Sequence, residues 1–516
     1  MGGVVAAGHE ETAAAAVAVL NQGGNAFDAA VAGVLASCVA ESVLTSVAGG
    51  GFLLAHTENS KPILFDFFTQ TPTSKQLAHT LDFYPIGVDF GDTVQEFHIG
   101  LGSMAVPGVL KGLVHVHTRL GRLPLKQVVA PAIALARKGV IVNDFFAYVY
   151  RLLKPILLAT PDSRAIYSPQ GELLQAGDRL HMADFADALE QLVTEGIEAF
   201  WHTMAARITQ PPGGYLTPGD FANYRVMERA PLCLDYHGSQ LLTNPAPSAG
   251  GGLIACSLAL LAECELARHG SAEHLLALSQ VMRCTNRVRR DGYDARIQAP
   301  GIAEEVLSAA YLGPYRGELR DAIAQLNGAN PTNKLGSTTH LSVMDSDGNA
   351  ASVTTSNGEG SSYVIPSTGI MVNNMLGEED LNPHGFHQWT PNQRMSSMMA
   401  PTMVLRGGRP YLVLGSGGSN RIRTAILQVI SNLVDFDMAL ETAVAAPRIH
   451  WENHIFHLEP GFNPAELTHI IGDAEPIWWE AQNMFFGGVH AVGVDKNGVL
   501  HGAGDQRRRG AVAVAQ

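Results

Sequence analysis

The run TTHLSVMDSDGNAASVTTS, residues 338–356, alternates apolar and polar side chains on both sides of the dipeptide Asp347-Gly348. An Asp-Gly pair between two alternating runs is typical of a β-hairpin with a tight turn. Hairpins join antiparallel strands, whereas parallel strands need long crossover connections. This region therefore predicts an antiparallel sheet and argues against a doubly wound parallel fold.

The sequence around this hairpin predicts further strands and the helices that pack on them. Residues 11–20 and 26–41 are alanine-rich helical runs, and a strand at 411–415 leads through a glycine-rich turn into a helix. A second strand–turn–strand pattern spans 486–504, whereas the polar, irregular residues 73–104 predict a long loop. These elements together predict a layered α/β sandwich.

Composition excludes several classes of protein. The 516 residues are enough for about three average domains or for one large layered domain. A net charge of −14 argues against nucleic-acid binding, and the run Arg507–Arg509 predicts a solvated tail. The sequence has no membrane-length apolar run and no paired cysteines. We expect no metal, no cofactor, no membrane contact and a cytoplasmic location, although a chain whose leader had been removed would look the same.

Thr338 is the candidate nucleophile, because it stands where the polar loop 327–337 meets the first strand of the hairpin. If the bond between Ser337 and Thr338 were cut, the threonine hydroxyl would have a free α-amine beside it. An α-amine with a pKa of about 7.7–8.0 can accept the hydroxyl proton near neutral pH. The same local pattern also fits an ordinary threonine between a loop and a strand.

Three further segments contain groups that could assist such chemistry. The turn Gly417–Asn420 precedes a helix, so its N–H groups could form an oxyanion hole. Arg394, Ser396 and Ser397 offer a cation and two hydroxyls to a substrate carboxylate. The acidic run Glu378–Asp380 could hold a substrate ammonium group. Taken singly, these segments also fit a plain turn, a loop and a solvated acidic surface.

In this order, these elements resemble the γ-glutamyltranspeptidase family of N-terminal-nucleophile hydrolases, and the resemblance covers most of the chain. It implies a four-layer αββα sandwich with two stacked, mainly antiparallel sheets. The motifs that carry the resemblance are GGNAFDAAVA (23–32), AGGGFLLAH (48–56), the run 106–143, NPAPSAGGG (244–252), TTHLSVMDSDGNAASVT (338–354), STGIMVNN (367–374), SSMMAPTMV (396–404), GSGGSNRI (415–422) and AAPRIH (445–450).

The resemblance also implies a mechanism. The chain would cleave itself before Thr338, and the large fragment, 1–337, would stay bound to the small fragment, 338–516, as a heterodimer. Thr338 would then attack a small-molecule amide to form an acyl-enzyme, which water or an amino-acid amine would resolve. Ser356 matches a second threonine that supports the nucleophile. The other implied residues are Gly418 and Ser419 in the oxyanion hole, and Ser396, Ser397, Glu378, Asn357 and Arg394 in substrate binding.

One position departs from the family's pattern. Phe68 stands where the family has an arginine that pairs with the α-carboxylate of a γ-glutamyl group, and a phenyl ring cannot make that contact. The stretch 356–360 is also shorter than usual. We therefore expect a γ-glutamyl hydrolase or transferase that turns over glutathione weakly. The alternatives are an acylase of the cephalosporin-acylase kind, with a different acyl specificity, and an unprocessed homologue without activity.

Overall fold

Two antiparallel sheets lie face to face at the centre of the protein. The computed structural model describes residues 2–58, 60–89, 94–321, 336–452, 455–465, 467 and 476–516. Its strands are β1 (Gly3–Ala7), β2 (Gly50–His56), β3 (Ile63–Phe67), β4 (Tyr84–Asp89), β5 (Val94–Ile99), β6 (Val140–Ile141), β7 (Arg179–Leu180), β8 (Met227–Arg229), β9 (Leu232–Tyr236), β10 (Ser239–Thr243), β11 (Thr339–Asp345), β12 (Ala350–Ser356), β13 (Val364–Ile365), β14 (Ile370–Met371), β15 (Thr402–Arg406), β16 (Arg409–Gly417), β17 (Ile449–Glu452), β18 (Ile455–Leu458), β19 (Ile477–Trp478), β20 (Gly488–Val494), β21 (Leu500–Ala503) and β22 (Ala511–Ala515).

Helices cover the outer faces of both sheets. They are α1 (Glu10–Asn21), α2 (Ala26–Ala40), α3 (Val109–Leu120), α4 (Leu125–Lys138), α5 (Asp144–Leu152), α6 (Lys154–Leu157), α7 (Pro161–Tyr167), α8 (Ala183–Glu195), α9 (Ile197–Thr209), α10 (Pro218–Asn223), α11 (Ala249–Leu261), α12 (Ala272–Val288), α13 (Ile302–Val306), α14 (Ala309–Asp321), α15 (Arg421–Val434) and α16 (Leu440–Ala445). Within the described ranges, no helix has both the length and the apolar character needed to cross a membrane.

The predicted hairpin lies in the middle of the larger sheet. This sheet has the strand order β22-β1-β11-β12-β2-β3-β8, and the smaller sheet has the order β21-β20-β16-β15-β10-β9. All pairings in both sheets are antiparallel. Both of these sheets combine strands from residues 1–337 with strands from residues 338–516, so neither segment builds either of the two central sheets alone.

The two faces of the larger sheet enter different apolar cores, because successive side chains of a strand point to opposite sides. Val5 and Leu341 belong to the core formed with α1, α2 and α4. Val4 and Met344 belong to the core that also contains the smaller sheet and helices α11, α12 and α15. The layers therefore run helices, sheet, sheet, helices, which confirms the predicted sandwich.

A polar layer connects the two sheets. The His340 ring lies 2.8 Å from the Thr354 hydroxyl and 2.9 Å from the Ser342 hydroxyl. Ser342 and Ser352 donate hydrogen bonds to backbone carbonyls of the smaller sheet at 3.0 and 2.9 Å. Burial holds the pKa of His340 well below its usual value, so the ring is neutral and fits this uncharged layer.

Three local expectations were wrong. Residues 73–104 contain the hairpin β4–β5, in which Tyr84, Ile86 and Val88 alternate with Pro85 and Gly87, two residue types that are rare in strands. Arg507 and Arg508 are buried rather than solvated, because acidic residues and carbonyls from distant segments surround them. Of the loop predicted to be exposed, residues 327–335 lie outside the described residues, and Ser337 is buried.

The close approach of β16 to the His340 ring makes Gly415 a test of the packing between the sheets. A Cβ atom at this position would lie 2.3 Å from the ring carbon Cε1. We expect Gly415→Ala to lower the free energy of unfolding by about 1–3 kcal/mol, as overpacking of a core does. The measurement is the denaturant midpoint followed by circular dichroism.

The control for this prediction is Gly313→Ala in helix α14, where the space around the glycine is open. Alanine favours a helix over glycine, so this variant should be unchanged or slightly more stable. Equal midpoints for Gly415→Ala and the parent would show that the two sheets are not packed as described.

Candidate active site

Three strand ends meet at one edge of the sandwich and form the candidate site. Thr338 directly precedes β11, and it faces Ser356 at the end of β12, because Thr339 pairs with Thr355. Strand β16 of the other sheet ends nearby at Gly417. The backbones are so close that a Cβ atom on Gly417 would lie 2.1 Å from the Thr338 carbonyl oxygen. Only glycine fits here, and the approach brings the turn after β16 beside Thr338.

The peptide group before Thr338 is held on both sides. The Ser356 hydroxyl donates a hydrogen bond of 2.5 Å to the carbonyl oxygen of Ser337. The Ser337 N–H donates to the Glu359 carboxyl group at 3.4 Å. Ser337 and Thr338 are only 9% and 6% exposed. The peptide group before Thr338 is therefore buried, with its carbonyl and the preceding N–H both hydrogen-bonded by side chains.

The turn that follows β16 has an unusual backbone. Gly418 has φ = 125° and Ser419 has φ = 49°, a left-handed value that is uncommon for a residue other than glycine. The Ser419 hydroxyl donates a hydrogen bond of 2.6 Å to Asp380, which fixes this conformation. The chain before Thr338 lies directly against the turn, because a Cβ atom on Gly336 would be 2.7 Å from the Ser419 nitrogen.

A small cleft of about 60 Å³ opens beside Thr338. Its polar wall contains hydroxyl and carboxyl groups, and its apolar wall contains an aromatic ring and large aliphatic or thioether side chains. Among the described residues that line the cleft, none is an arginine or a lysine. The polar lining residues are Ser337, Thr338, Ser356, Ser396, Ser397, Ser419, Glu378 and Asp380, and the apolar ones are Phe68, Met375, Leu381, Met398, Met399 and Ile422.

Two buried carboxyl groups share the space behind this wall. Burial raises the pKa of Glu359 to about 8. Burial, together with the nearby Glu359 and Asp380, raises the pKa of Glu378 well above its usual value. Two adjacent carboxyls that cannot both ionise hold a proton between them near neutral pH. Sequence reasoning missed Glu359, since a single glutamate between two glycines gives no sign of a distant carboxyl partner.

Two of the residues proposed from the sequence lie outside the cleft lining. Arg394 donates hydrogen bonds to the backbone carbonyls of Phe68 and Arg225, and its Nε is 3.4 Å from Asp66. It thus braces the segment that carries Phe68. The Asn357 amide donates to the Met371 carbonyl at 3.4 Å behind the site. These partners are far away in sequence, so spacing alone could not reveal them.

The other proposed residues come together. Thr338, Ser356, Ser396, Ser397, Glu378 and Ser419 all line the cleft, and Gly418 lies beside Ser419 in the turn. Phe68, for which the sequence comparison predicted an arginine in the family, also lines the cleft and stacks on Phe52 with ring centroids 5.4 Å apart. The cleft therefore combines hydroxyl groups and acidic side chains with an aromatic wall.

Comparison with known proteins decides which family has this arrangement. Residues 12–515 match the family model described as gamma-glutamyltranspeptidase. The chain belongs to this family. It is therefore an enzyme of the hydrolase and transferase kind.

A glutathione hydrolase proenzyme and an acylase proenzyme are about equally similar to this chain in sequence identity. The glutathione hydrolase proenzyme of Escherichia coli strain K12 is 31% identical over 98% of this chain and 90% of that protein. The Acylase ACY 1 proenzyme of Pseudomonas sp. strain SE83 is also 31% identical, over 98% of this chain and 92% of that protein.

Solved structures agree on the fold. Cephalosporin acylase from Bacillus halodurans superposes with a TM-score of 0.84 and 25% identity, covering 99% of this chain and 95% of that one. The γ-glutamyltranspeptidase of Helicobacter pylori has a TM-score of 0.53 at 24% identity, covering 63% of this chain and 92% of that one. These likenesses confirm the αββα fold of the N-terminal-nucleophile hydrolases.

The buried carboxyl pair predicts a pH dependence of stability. Because the pKa of Glu359 is raised in the folded state, that state keeps a proton that the unfolded chain loses between about pH 4.5 and 8. The contribution of Glu359 to stability is therefore present at acidic pH and lost as the pH rises through this window. We expect Glu359→Gln, which cannot ionise, to flatten the fall in melting temperature from pH 5 to pH 8.

Melting temperatures would be compared in chains that also carry Thr338→Ala, because this change would prevent the predicted cleavage and keep all samples of equal length. The control is Glu172→Gln at an exposed position, which should follow the parent curve. A Glu359→Gln curve as steep as the parent's would refute the carboxyl pair.

Proposed function

We propose that this protein cuts its own chain before Thr338 and then uses Thr338 as the nucleophile of an amide hydrolase and acyltransferase. The observation that carries the proposal is the hydrogen bond from Ser356 to the Ser337 carbonyl, beside the threonine hydroxyl. A donor of this kind stabilises the negative charge that develops on the carbonyl oxygen during attack.

Self-cleavage proceeds in two steps. The Thr338 oxygen bonds to the Ser337 carbonyl carbon, the bond from that carbon to the Thr338 nitrogen breaks, and the hydroxyl proton ends on this nitrogen. The result is an ester with a free α-amine. Water then hydrolyses the ester, leaving a carboxylate on Ser337 and restoring the Thr338 hydroxyl. The fragments 1–337 and 338–516 remain together as a heterodimer, because both supply strands to both sheets.

Turnover repeats the first step on a substrate. The α-amine of Thr338 takes the hydroxyl proton and passes it to the leaving amine. The backbone N–H groups of Gly418 and Ser419, at the start of helix α15, bind the oxyanion. Departure of residues 336–337 clears the space in front of this turn. Water or an amino-acid amine then resolves the acyl-enzyme.

The residues that line the cleft favour some acyl groups of a substrate over others. A γ-glutamyl substrate such as glutathione presents an α-carboxylate and an α-ammonium group. Ser396 and Ser397 offer hydroxyls to the carboxylate but no positive charge. Phe68 stands where the family resemblance implies an arginine, and its ring cannot pair with a carboxylate. Glu378 and Asp380 favour the ammonium group. An acylase-type specificity, for a cationic or apolar acyl chain, therefore fits better than efficient glutathione hydrolysis.

Replacement of the nucleophile tests the proposal. We expect Thr338→Ala to remain a full-length chain on a denaturing gel and to lose all amide hydrolysis, since both steps need the hydroxyl. Thr338→Ser keeps a hydroxyl and should be cleaved and active, at a reduced rate. Efficient hydrolysis by a folded Thr338→Ala chain would exclude Thr338 as the nucleophile.

A set of four p-nitroanilides tests the acyl specificity. The γ-glutamyl, 4-aminobutanoyl, glutaryl and butanoyl groups share one chain and differ only in their ammonium and carboxylate groups. We expect kcat/KM to be higher for 4-aminobutanoyl than for glutaryl, because the cleft has carboxyls and no cation. The γ-glutamyl compound should gain no more than about tenfold over 4-aminobutanoyl.

Phe68→Leu serves as the matched variant, because it keeps an apolar wall and should preserve this order. A parent enzyme that prefers the glutaryl compound, or that hydrolyses the γ-glutamyl compound far faster than the 4-aminobutanoyl compound, would contradict this specificity and support a glutathione-like one.

A further inference from the structure

The second arginine of the C-terminal run lies at the scissile peptide. Arg508 donates hydrogen bonds of 3.2 Å to the carbonyl oxygens of Thr338 and Gly336, one from each terminal nitrogen. A longer contact of 3.5 Å reaches the Met484 carbonyl. The guanidinium group thus spans the residues on both sides of Ser337, and its side chain is buried.

The charge of Arg508 is not neutralised by a direct partner. Among the described residues, no carboxylate is close enough to form an ion pair with it, and Asp505 and Glu41 act on it only from a distance. Asp505 is instead paired with Arg448 at 2.7 Å and with Arg507 at 3.2 Å. Burial lowers the pKa of Arg508 to about 10, so the group is still protonated at neutral pH.

An arginine buried without a countercharge costs free energy of folding, since desolvation is not offset by an ion pair. The neighbouring Arg507 is different, because it binds both Glu459 and Asp505. The contacts of Arg508 are instead with backbone carbonyls at the peptide that the proposed function cuts. Its position is therefore explained better by a role in that reaction than by stability.

We propose that Arg508 is a positioning residue for self-cleavage. It holds the carbonyls of Gly336 and Thr338, so that the Ser337 carbonyl between them keeps its hydrogen bond from the Ser356 hydroxyl. The inference rests on the proposed function. With both neighbouring carbonyls fixed, the Ser337 peptide plane cannot rotate away from the threonine hydroxyl, which is the geometric condition for attack.

After cleavage the bond to Thr338 remains, and a positive charge stays next to the new α-amine. A nearby cation disfavours the ammonium form, so it keeps the amine neutral and able to accept a proton. The acidic groups near Thr338 act in the opposite direction. The titratable groups around this amine are Arg508, Arg421, His340, Glu41, Glu359, Glu378 and Asp380.

The experiment follows cleavage of the full-length chain over time on denaturing gels, in the parent and in Arg508→Met, Arg508→Lys and Arg509→Gln. Arg509 is the matched control, because it is adjacent and exposed, and its ion-pair partner among the described residues is Asp144. We expect Arg509→Gln to behave as the parent and Arg508→Met to be slower by about 10- to 100-fold, the loss of hydrogen bonds to a charged group. Arg508→Lys should lie between them, since an ammonium group cannot span both carbonyls.

A second readout separates this role from a structural one. The acid limb of the plot of kcat/KM against pH should move upward by about one pH unit in cleaved Arg508→Met, because the α-amine loses its neighbouring cation. If Arg508→Met does not unfold cooperatively, the inference is tested instead by the cleavage rate of Arg508→Lys. Cleavage at the parent rate, or an unchanged acid limb, would overturn the inference while leaving the proposed function intact. A parent chain that is never cut would instead refute the proposed function itself.

Discussion

The hydrogen bond from Ser356 to the Ser337 carbonyl depends on the register of one hairpin. Strands β11 and β12 pair from Met344 opposite Ala350 to Thr339 opposite Thr355. A slip of one residue would turn every side chain to the other face of the sheet and remove Ser356 from the peptide. The turn at the far end fixes the register, because the Asp345 carboxylate accepts from the N–H groups of Asp347 and Asn349.

The peptide between Ser337 and Thr338, where we propose the chain is cut, lies between groups of opposite charge. On one side are the carboxyls of Glu359 and Glu378, which hold a proton between them. On the other side is the buried guanidinium group of Arg508, which binds carbonyls instead of a carboxylate. Neither side is an ordinary stabilising ion pair. Both are costly to bury, and their placement around one peptide indicates that the fold gives up stability for chemistry.

Thr338 as the nucleophile follows from the family resemblance and stays a prediction. Local patterns in the sequence were enough to predict the hairpin and the helix that follows the glycine-rich turn at 417–420. Each of these has a signal within a few residues, such as Asp347-Gly348 or the turn before α15. The sequence could not predict the place of Arg394, which depends on Asp66, or that of Arg508, which depends on carbonyls more than 160 residues away. A charged run normally indicates a solvated surface, and only the tertiary structure shows the buried carbonyls that bind it.

The central claim is that the chain is cut at one peptide bond and that the exposed threonine becomes the nucleophile. Its most direct test is intact-mass measurement and N-terminal sequencing of freshly purified protein. The account predicts two fragments that stay associated, the smaller beginning Thr-Thr-His-Leu. An active preparation that consists only of the uncut chain, or a small fragment that begins at any other residue, would contradict it.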